Sequence, residues 1–255
     1  MTDKIFLIGL GHRARNGKDS VAEFIREAEP NTVIYHFADP LKEEVMNKNR
    51  KHPLMLREKS FGSYYWYSIW SHDNEYVTVN DSEVPFLHKI FNDRKIDVYW
   101  GMDGNGNDEY KDSLMLQFWG TEWRRQRFGE DYWVQKVEDY FMENCYSKPF
   151  VGNVFFLLPD TRFKNEVEWI WNMSNSNVNE EVASLYLKVV RYDYDGNPYY
   201  DPDRDKNHPS ETGLEGVAPN YLIEAESGAM GILKQKTLEF LEYIKSEDKY
   251  EFPTI

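Results

Sequence analysis

Cysteine is almost missing from this chain: Cys145 is the only one among 255 residues. One thiol can form neither an intrachain disulfide nor a four-cysteine zinc site, so a stapled secreted scaffold and a zinc ribbon are both excluded. A reducing, cytoplasmic setting is the expectation. Long apolar runs are missing as well. A membrane-spanning helix needs roughly 18 to 20 apolar residues in a row, and the run nearest the start, Ile5-Phe6-Leu7-Ile8, is too short even for a signal-peptide core. The expectation is a soluble protein that is neither membrane-bound nor exported. The third absence is positive charge. Lys and Arg number 30 against 44 Asp and Glu, a formal net charge of -14. Proteins that grip nucleic acid draw much of their affinity from cations at phosphates, so no extended nucleic-acid partner is expected. There is no repeat of fixed period and no low-complexity tract.

What is present is apolar mass. Hydrophobic residues make up 41% and aromatics 16%, enough for a core and too much for a disordered chain. The size suits a single domain, 1–255, formed of a core plus an insertion. Lys4 to Leu10 reads as a strand buried on both faces, and after the loop that follows it Val21, Phe24, Ile25 and Ala28 recur at helical spacing. Thr32 to Ala38 predicts a second strand, and Pro40 lies in the first turn of the helix expected next.

From about Met46 to Ser113 the pattern breaks into aromatic clusters, Tyr64-Tyr65-Trp66-Tyr67 and Trp70, and a Gly/Asn/Asp-rich stretch. This predicts an insertion of hairpin or irregular structure; it reads either as a dimer or partner surface, which would make a homodimer, or as a local mini-core. Helical spacing returns at Leu114–Trp119 and Trp133–Phe141. Strands are predicted at Val154–Leu158, Ser184–Val190 and Tyr221–Ala225, separated by a helix carrying Val167, Ile170 and Trp171 and followed by one carrying Met230 to Ile244. Five strands alternating with helices predict a doubly wound, mostly parallel α/β sheet.

The first turn carries the chemistry. Gly11-His12-Arg13-Ala14-Arg15-Asn16-Gly17-Lys18-Asp19-Ser20 links the first strand to the first helix. A nucleoside triphosphate is held by inward backbone N–H groups, a lysine at the outer phosphates and an oxygen ligand for Mg²⁺, and a Gly-containing loop running into a helix supplies all three. The spacing departs from the strict pattern: His12 stands where a glycine is wanted, and Asp19 where a Ser or Thr is wanted, with Ser20 next. Lys18 is the candidate phosphate contact, Asp19 or Ser20 the residue nearest the metal, and Arg13 and Arg15 add positive charge. The bland alternative is a glycine turn with a surface lysine. The strand Val154 to Leu158 runs on through Pro159 into Asp160, the placement used for a carboxylate of the Mg²⁺ shell, with Arg162 two residues on. Alone, Asp160 reads equally well as a helix cap.

Four stretches together resemble the deoxynucleoside monophosphate kinases of bacteriophages. They are Arg15-Asn16-Gly17-Lys18-Asp19-Ser20; Gly120-Thr121-Glu122-Trp123-Arg124-Arg125 with Asp131-Tyr132-Trp133-Val134; Asp160-Thr161-Arg162-Phe163-Lys164-Asn165-Glu166; and His208-Pro209-Ser210-Glu211. Ala38-Asp39-Pro40-Leu41-Lys42 resembles a phrase that follows the second strand in related small-molecule kinases. The segment 46–113 has no counterpart. The resemblance implies a P-loop kinase fold, ATP and Mg²⁺, and transfer of the γ-phosphoryl group to a deoxynucleoside monophosphate. It marks Arg125 as first choice for the acceptor phosphate, followed by Arg162 and Arg124, with Asp160 also facing substrate. Arg127 reads better as a solvated helix end. Trp133 is either a wall for the base or core.

The unperiodic segment from about Arg191 to Glu215 is the expected lid, with Arg191 and Arg204 as candidate transition-state cations. His208, Ser210 and Glu211 either order that lid, touch the acceptor nucleotide, or merely cap a turn. Two alternative functions remain at this level: a P-loop kinase acting on hydroxymethylated bases in DNA, and a nucleotide-binding protein with weak or lost catalysis.

Overall fold

A computed structural model describes residues 3–45, 55–61, 64–70, 76–78, 98–99, 101–102, 109–110, 120, 124–125, 128–175, 181–202, 206–207 and 209–246. The chain divides into two compact units, Met1–Phe37 joined with Val134–Ile255, and Ala38–Trp133.

The first unit is built on five strands: β1 (Ile5–Gly11), β2 (Thr32–Ile34), β3 (Val154–Thr161), β4 (Val182–Tyr192) and β5 (Tyr221–Glu226). They form one all-parallel sheet in the order β2-β3-β1-β4-β5. The alternation of strands and helices predicted this doubly wound α/β class. Central β1 is buried along its whole length, with Ile5 level with Val154 on one side and Val182 on the other. Among the described residues, the sheet is accompanied by α1 (Lys18–Ala28), α2 (Tyr132–Phe141) with a π-helical turn (Met142–Tyr146) after it, α3 (Lys164–Asn175), the single turn α4 (Pro209–Thr212) and α5 (Met230–Ser246).

Alternating side chains of β1 supply both faces. Phe6, Ile8 and Leu10 pack with Val21 and Ile25 of α1 and with Leu233 and Phe240 of α5. Ile5 and Leu7 pack with Val137 and Phe141 of α2 and Ile170 of α3. Cys145 belongs to this second cluster, and burial pushes its thiol up to about 11, so it behaves as an inert core residue.

β1 connects towards β2 in one direction and β3 connects past β1 to β4 in the other, so the direction of winding reverses between β1 and β3. Such a reversal point is the usual ligand position in an open α/β sheet.

Two of the differences from the expected strand boundaries lie at the C-terminal ends of β2 and β4. β2 stops at Ile34 instead of running to Ala38. The Tyr35 N–H still reaches the Leu157 carbonyl, but the Phe37 N–H donates to the Asp160 carboxylate, which takes the backbone out of the ladder. A helix, Ala38–Val45, follows with Pro40 in its first turn. Secondly, β4 continues through Arg191 and Tyr192. It then turns sharply: the Asp193 N–H donates to Asn197 O, Asp193 Oδ1 accepts from the Asp195 and Asn197 amides, and Gly196 takes φ 80°.

In the second unit, Met55–Phe61 and Tyr64–Trp70 form an antiparallel hairpin within a four-stranded sheet completed by Tyr76–Thr78 and Val98–Tyr99. The hairpin alternative for the insertion therefore holds over these strands. The Leu114–Trp119 helix lies outside the described residues. Among the described residues, no helix is long and apolar enough to cross a membrane.

Candidate functional site

Six residues, His12 to Gly17, carry the chain from the C-terminal end of β1 into α1. Gly17 stands at the N-cap in the left-handed region, φ 92°, and no side chain caps the helix. An uncapped helix start at the end of a central parallel strand is a natural anion site, since its first amides and its dipole both favour negative charge. Two non-glycine residues of the loop also have positive φ, His12 at 101° and Arg15 at 55°. Such conformations cost on the order of 1–3 kcal/mol each and persist only where the surroundings impose them. His12 therefore takes a glycine-like backbone at the position where the strict motif has glycine.

Lys18, 5% exposed, points back into the loop: its Nζ donates to the Arg13 carbonyl at 2.6 Å, with the His12 carbonyl at 3.5 Å. Burial, and then the positive charge of Arg162, lowers its ammonium to about 8, while Asp19, Asp160 and Glu211 act in the opposite direction. It remains mainly charged at neutral pH. Asp160 ends β3 beside β1, and its Oδ1 accepts from the Phe37 amide at 2.8 Å. Arg162 follows, donating from Nη1 to Glu211 Oε1 at 2.9 Å and to the Ser210 carbonyl at 3.3 Å.

Residues in 199–201 and 209–215 hold the loop from outside. Glu211 Oε2 accepts the Ala14 N–H at 2.9 Å, Glu215 pairs with Arg13 at 2.9 Å, and Asp201 pairs with Arg15 at 3.1 Å. The Tyr200 ring lies under the Arg13 guanidinium, 3.9 Å from its centroid, and Tyr199 lies 4.1 Å from the Arg191 guanidinium. Arg191 in turn donates to Ser227 Oγ at 2.8 Å and to the Arg15 carbonyl at 3.3 Å. Within the loop itself, Arg13 Nε and Asn16 Oδ1 are buried with no hydrogen-bond partner.

Lys18, Asp160, Arg162, Arg191 and Glu211 thus surround one loop. Asp19 is exposed on the first turn of α1 with Ser20 half-buried beside it. Among the described residues, no group of three His, Cys, Asp or Glu forms a self-sufficient metal site. Mg²⁺ at a phosphate site takes one or two protein oxygens and completes its shell from phosphates and water, and a hydroxyl with carboxylates fits that chemistry.

Arg124 and Arg125 are half-buried in the second unit, with Arg124 5.4 Å from the Phe128 ring centroid and 5.3 Å from that of Tyr132. Trp133 is 3% exposed and donates its indole N–H to the Gly120 carbonyl at 2.9 Å, a core placement. Arg127, Arg204 and His208 lie outside the described residues, as do Thr121, Glu122 and Trp123.

Sequence reading missed Asp201 and Glu215, because nothing local marks an acid that pairs with an arginine roughly two hundred residues away. It also left Glu166 without a role. Its Oε2 accepts the N–H groups of Arg162 and Phe163, closing the start of α3, so the acid that ends the Asp-x-Arg-Phe-x-Asn-Glu stretch shapes the turn that presents Arg162.

His12 carries a pH prediction. Burial, helped by Lys188 and Arg13, lowers its imidazole from 6.5 to about 3. The folded state therefore binds fewer protons than the unfolded state between those values. The stabilisation is complete above 6.5 and is lost as pH falls towards 3, by at most about 1.4 kcal/mol per pH unit. In thermal melts at pH 6.5, 5.5 and 4.5, the wild type is expected to lose more stability than His12→Asn, whose side chain tolerates the left-handed region and does not titrate. Parallel pH profiles for the two would contradict this.

Comparison with protein-family models gives no match, and comparison with curated proteins gives none.

Proposed function

We propose that this chain is an ATP-dependent P-loop kinase that phosphorylates deoxynucleoside 5'-monophosphates to diphosphates. The observation that carries the phosphoryl-transfer reading is Lys18 at the head of α1, electrostatically coupled to Asp160 at the end of the neighbouring parallel strand and to Arg162. A transferring phosphoryl group asks mostly for positioning and for positive charge around its oxygens. In this reading the loop amides and Lys18 hold the ATP phosphates, and Arg13 and Arg15 add charge at the rim. Arg191, fixed by Ser227 and Tyr199, neutralises charge that develops during transfer. Asp19, Ser20 and Asp160 would hold Mg²⁺, which when bound neutralises phosphate charge. Arg162 receives the acceptor phosphate, the role for which the resemblance also marks Arg125 and Arg124.

The choice of a deoxynucleoside monophosphate as acceptor rests on the resemblance of the four sequence stretches to the phage kinases. The net charge of -14 favours a small free nucleotide over DNA.

The test is ADP release from ATP-Mg²⁺ with each deoxynucleoside monophosphate, the matching ribonucleotides, and duplex DNA containing hydroxymethylated bases. Turnover with at least one free deoxynucleotide is expected. Turnover with DNA alone would move the acceptor to a base in DNA. No turnover with any acceptor would remove the kinase assignment.

A further inference from the structure

We infer that Glu211 is a positioning residue that holds the phosphate loop in its binding shape before nucleotide arrives; this rests on the reading of that loop as the ATP site. Glu211 lies at the right place, its Oε2 on the Ala14 N–H and its Oε1 on Arg162 Nη1, each at 2.9 Å. Ala14 stands between His12 and Arg15, the two non-glycine residues with positive φ. A loop strained on both sides of one amide keeps its shape only if that amide is held, because left alone both flanking residues relax towards ordinary backbone conformations.

The support is fixed. Glu211 is 7% exposed. Leu214, three residues on, is 2% exposed and packs with Tyr186, Val167 and Trp171. Gly213, between them, lies so close to α3's entry turn that a Cβ there would stand 2.6 Å from the Arg162 carbonyl and 2.8 Å from the Pro209 carbonyl. The short helix bearing Glu211 is therefore anchored to the core. One carboxylate ties the donor loop to Arg162, so the two sides of the proposed reaction share a common support. Pre-forming the loop removes an ordering cost from nucleotide binding, which raises affinity without adding a contact to the ligand.

The experiment is calorimetric titration of ATP-Mg²⁺, and separately of pyrophosphate, into the wild type, Glu211→Gln and the double variant Glu211→Gln/His12→Gly. Glu211→Gln keeps one acceptor and loses the bridge, and about tenfold weaker binding of both probes is expected. Glycine at position 12 removes the strain that Glu211 opposes, so the double variant is expected to regain most of that loss, a rescue that a general structural defect would not show. Equal or tighter binding by Glu211→Gln, or no rescue by His12→Gly, would overturn the inference. Glu211→Asp keeps the charge but is one methylene too short to bridge both groups; it is expected to weaken binding similarly and serves if Glu211→Gln fails to fold. A wild type that binds neither probe would remove the phosphate-site reading itself, whereas a wild type that binds both while the variants match it would remove only the role of Glu211.

Discussion

Lys18→Ala is expected to abolish measurable phosphoryl transfer and to leave the fold intact. Lys18 is buried, and its ammonium is held by loop carbonyls, an arrangement that makes poor use of a charge unless a phosphate takes over as partner. Removing one preorganised donor aimed at developing charge costs on the order of 10²–10³ in rate, and losing a full positive charge beside the outer phosphates should reach at least the top of that range. Stability is expected to move the other way or not at all. The folded state already disfavours the charged lysine, as its lowered proton affinity records, so deleting the charge removes an unfavourable burial. The check is a pair of measurements on one preparation, kcat/KM for ATP and the thermal midpoint. Lost activity with an unchanged or raised midpoint agrees with the account. Retained activity would contradict it, and lost activity with a collapsed midpoint would make Lys18 structural.

The second large effect is on the fold. Gly11 ends β1, and a Cβ there would run into the Tyr186 ring and stand 2.8 Å from Leu214 Cδ1 and 3.1 Å from the Thr161 carbonyl. Tyr186 is fully buried and cannot turn aside cheaply. Overpacking of this kind costs about 1–3 kcal/mol, and for a protein of this size each kcal/mol lowers the midpoint by roughly 2–4 °C. Gly11→Ala is therefore expected to lower the thermal midpoint by several degrees and to weaken ATP binding, because Leu214 and Tyr186 brace the helix that bears Glu211. Gly231→Ala is the control. A Cβ at Gly231 meets nothing within 4 Å, and the residue lies in α5, so alanine is expected to leave stability unchanged or slightly raised. A Gly11→Ala midpoint equal to that of the control would contradict the packing described.

Why the core was readable from sequence and the site only partly so has a physical reason. The three central strands of the first unit, β3, β1 and β4, are buried on both faces, so Ile5 to Leu10, Phe155 to Leu158 and Leu185 to Val190 appear as nearly continuous apolar runs. The loop proposed to hold phosphate stood out as a candidate because a glycine, a lysine and a helix start follow one another locally. Of the acids that hold that loop, Glu211 was marked only through the resemblance, and Asp201 and Glu215 were not marked at all. Asp201, Glu211 and Glu215 act on residues that the fold, not the chain, makes their neighbours. His12 was legible as a departure from the glycine pattern, yet only its φ of 101° shows that the backbone kept the glycine-like shape while the side chain changed. The strand β2 was overextended because Tyr35 to Ala38 look apolar enough to continue, and the Asp160 side chain that diverts Phe37 arrives from far along the chain.

The measurement that tests the central claim most directly is phosphorus NMR of ATP-Mg²⁺ with a deoxynucleoside monophosphate and the wild-type protein. The γ-phosphate signal of ATP is expected to be replaced by the β-phosphate signal of a deoxynucleoside diphosphate, in step with the appearance of ADP. With Lys18→Ala in the same mixture, the ATP signals should persist. If the γ-phosphate instead appeared only as inorganic phosphate, or if ATP stayed unchanged with every monophosphate, the assignment of this site to nucleotide phosphorylation would be wrong.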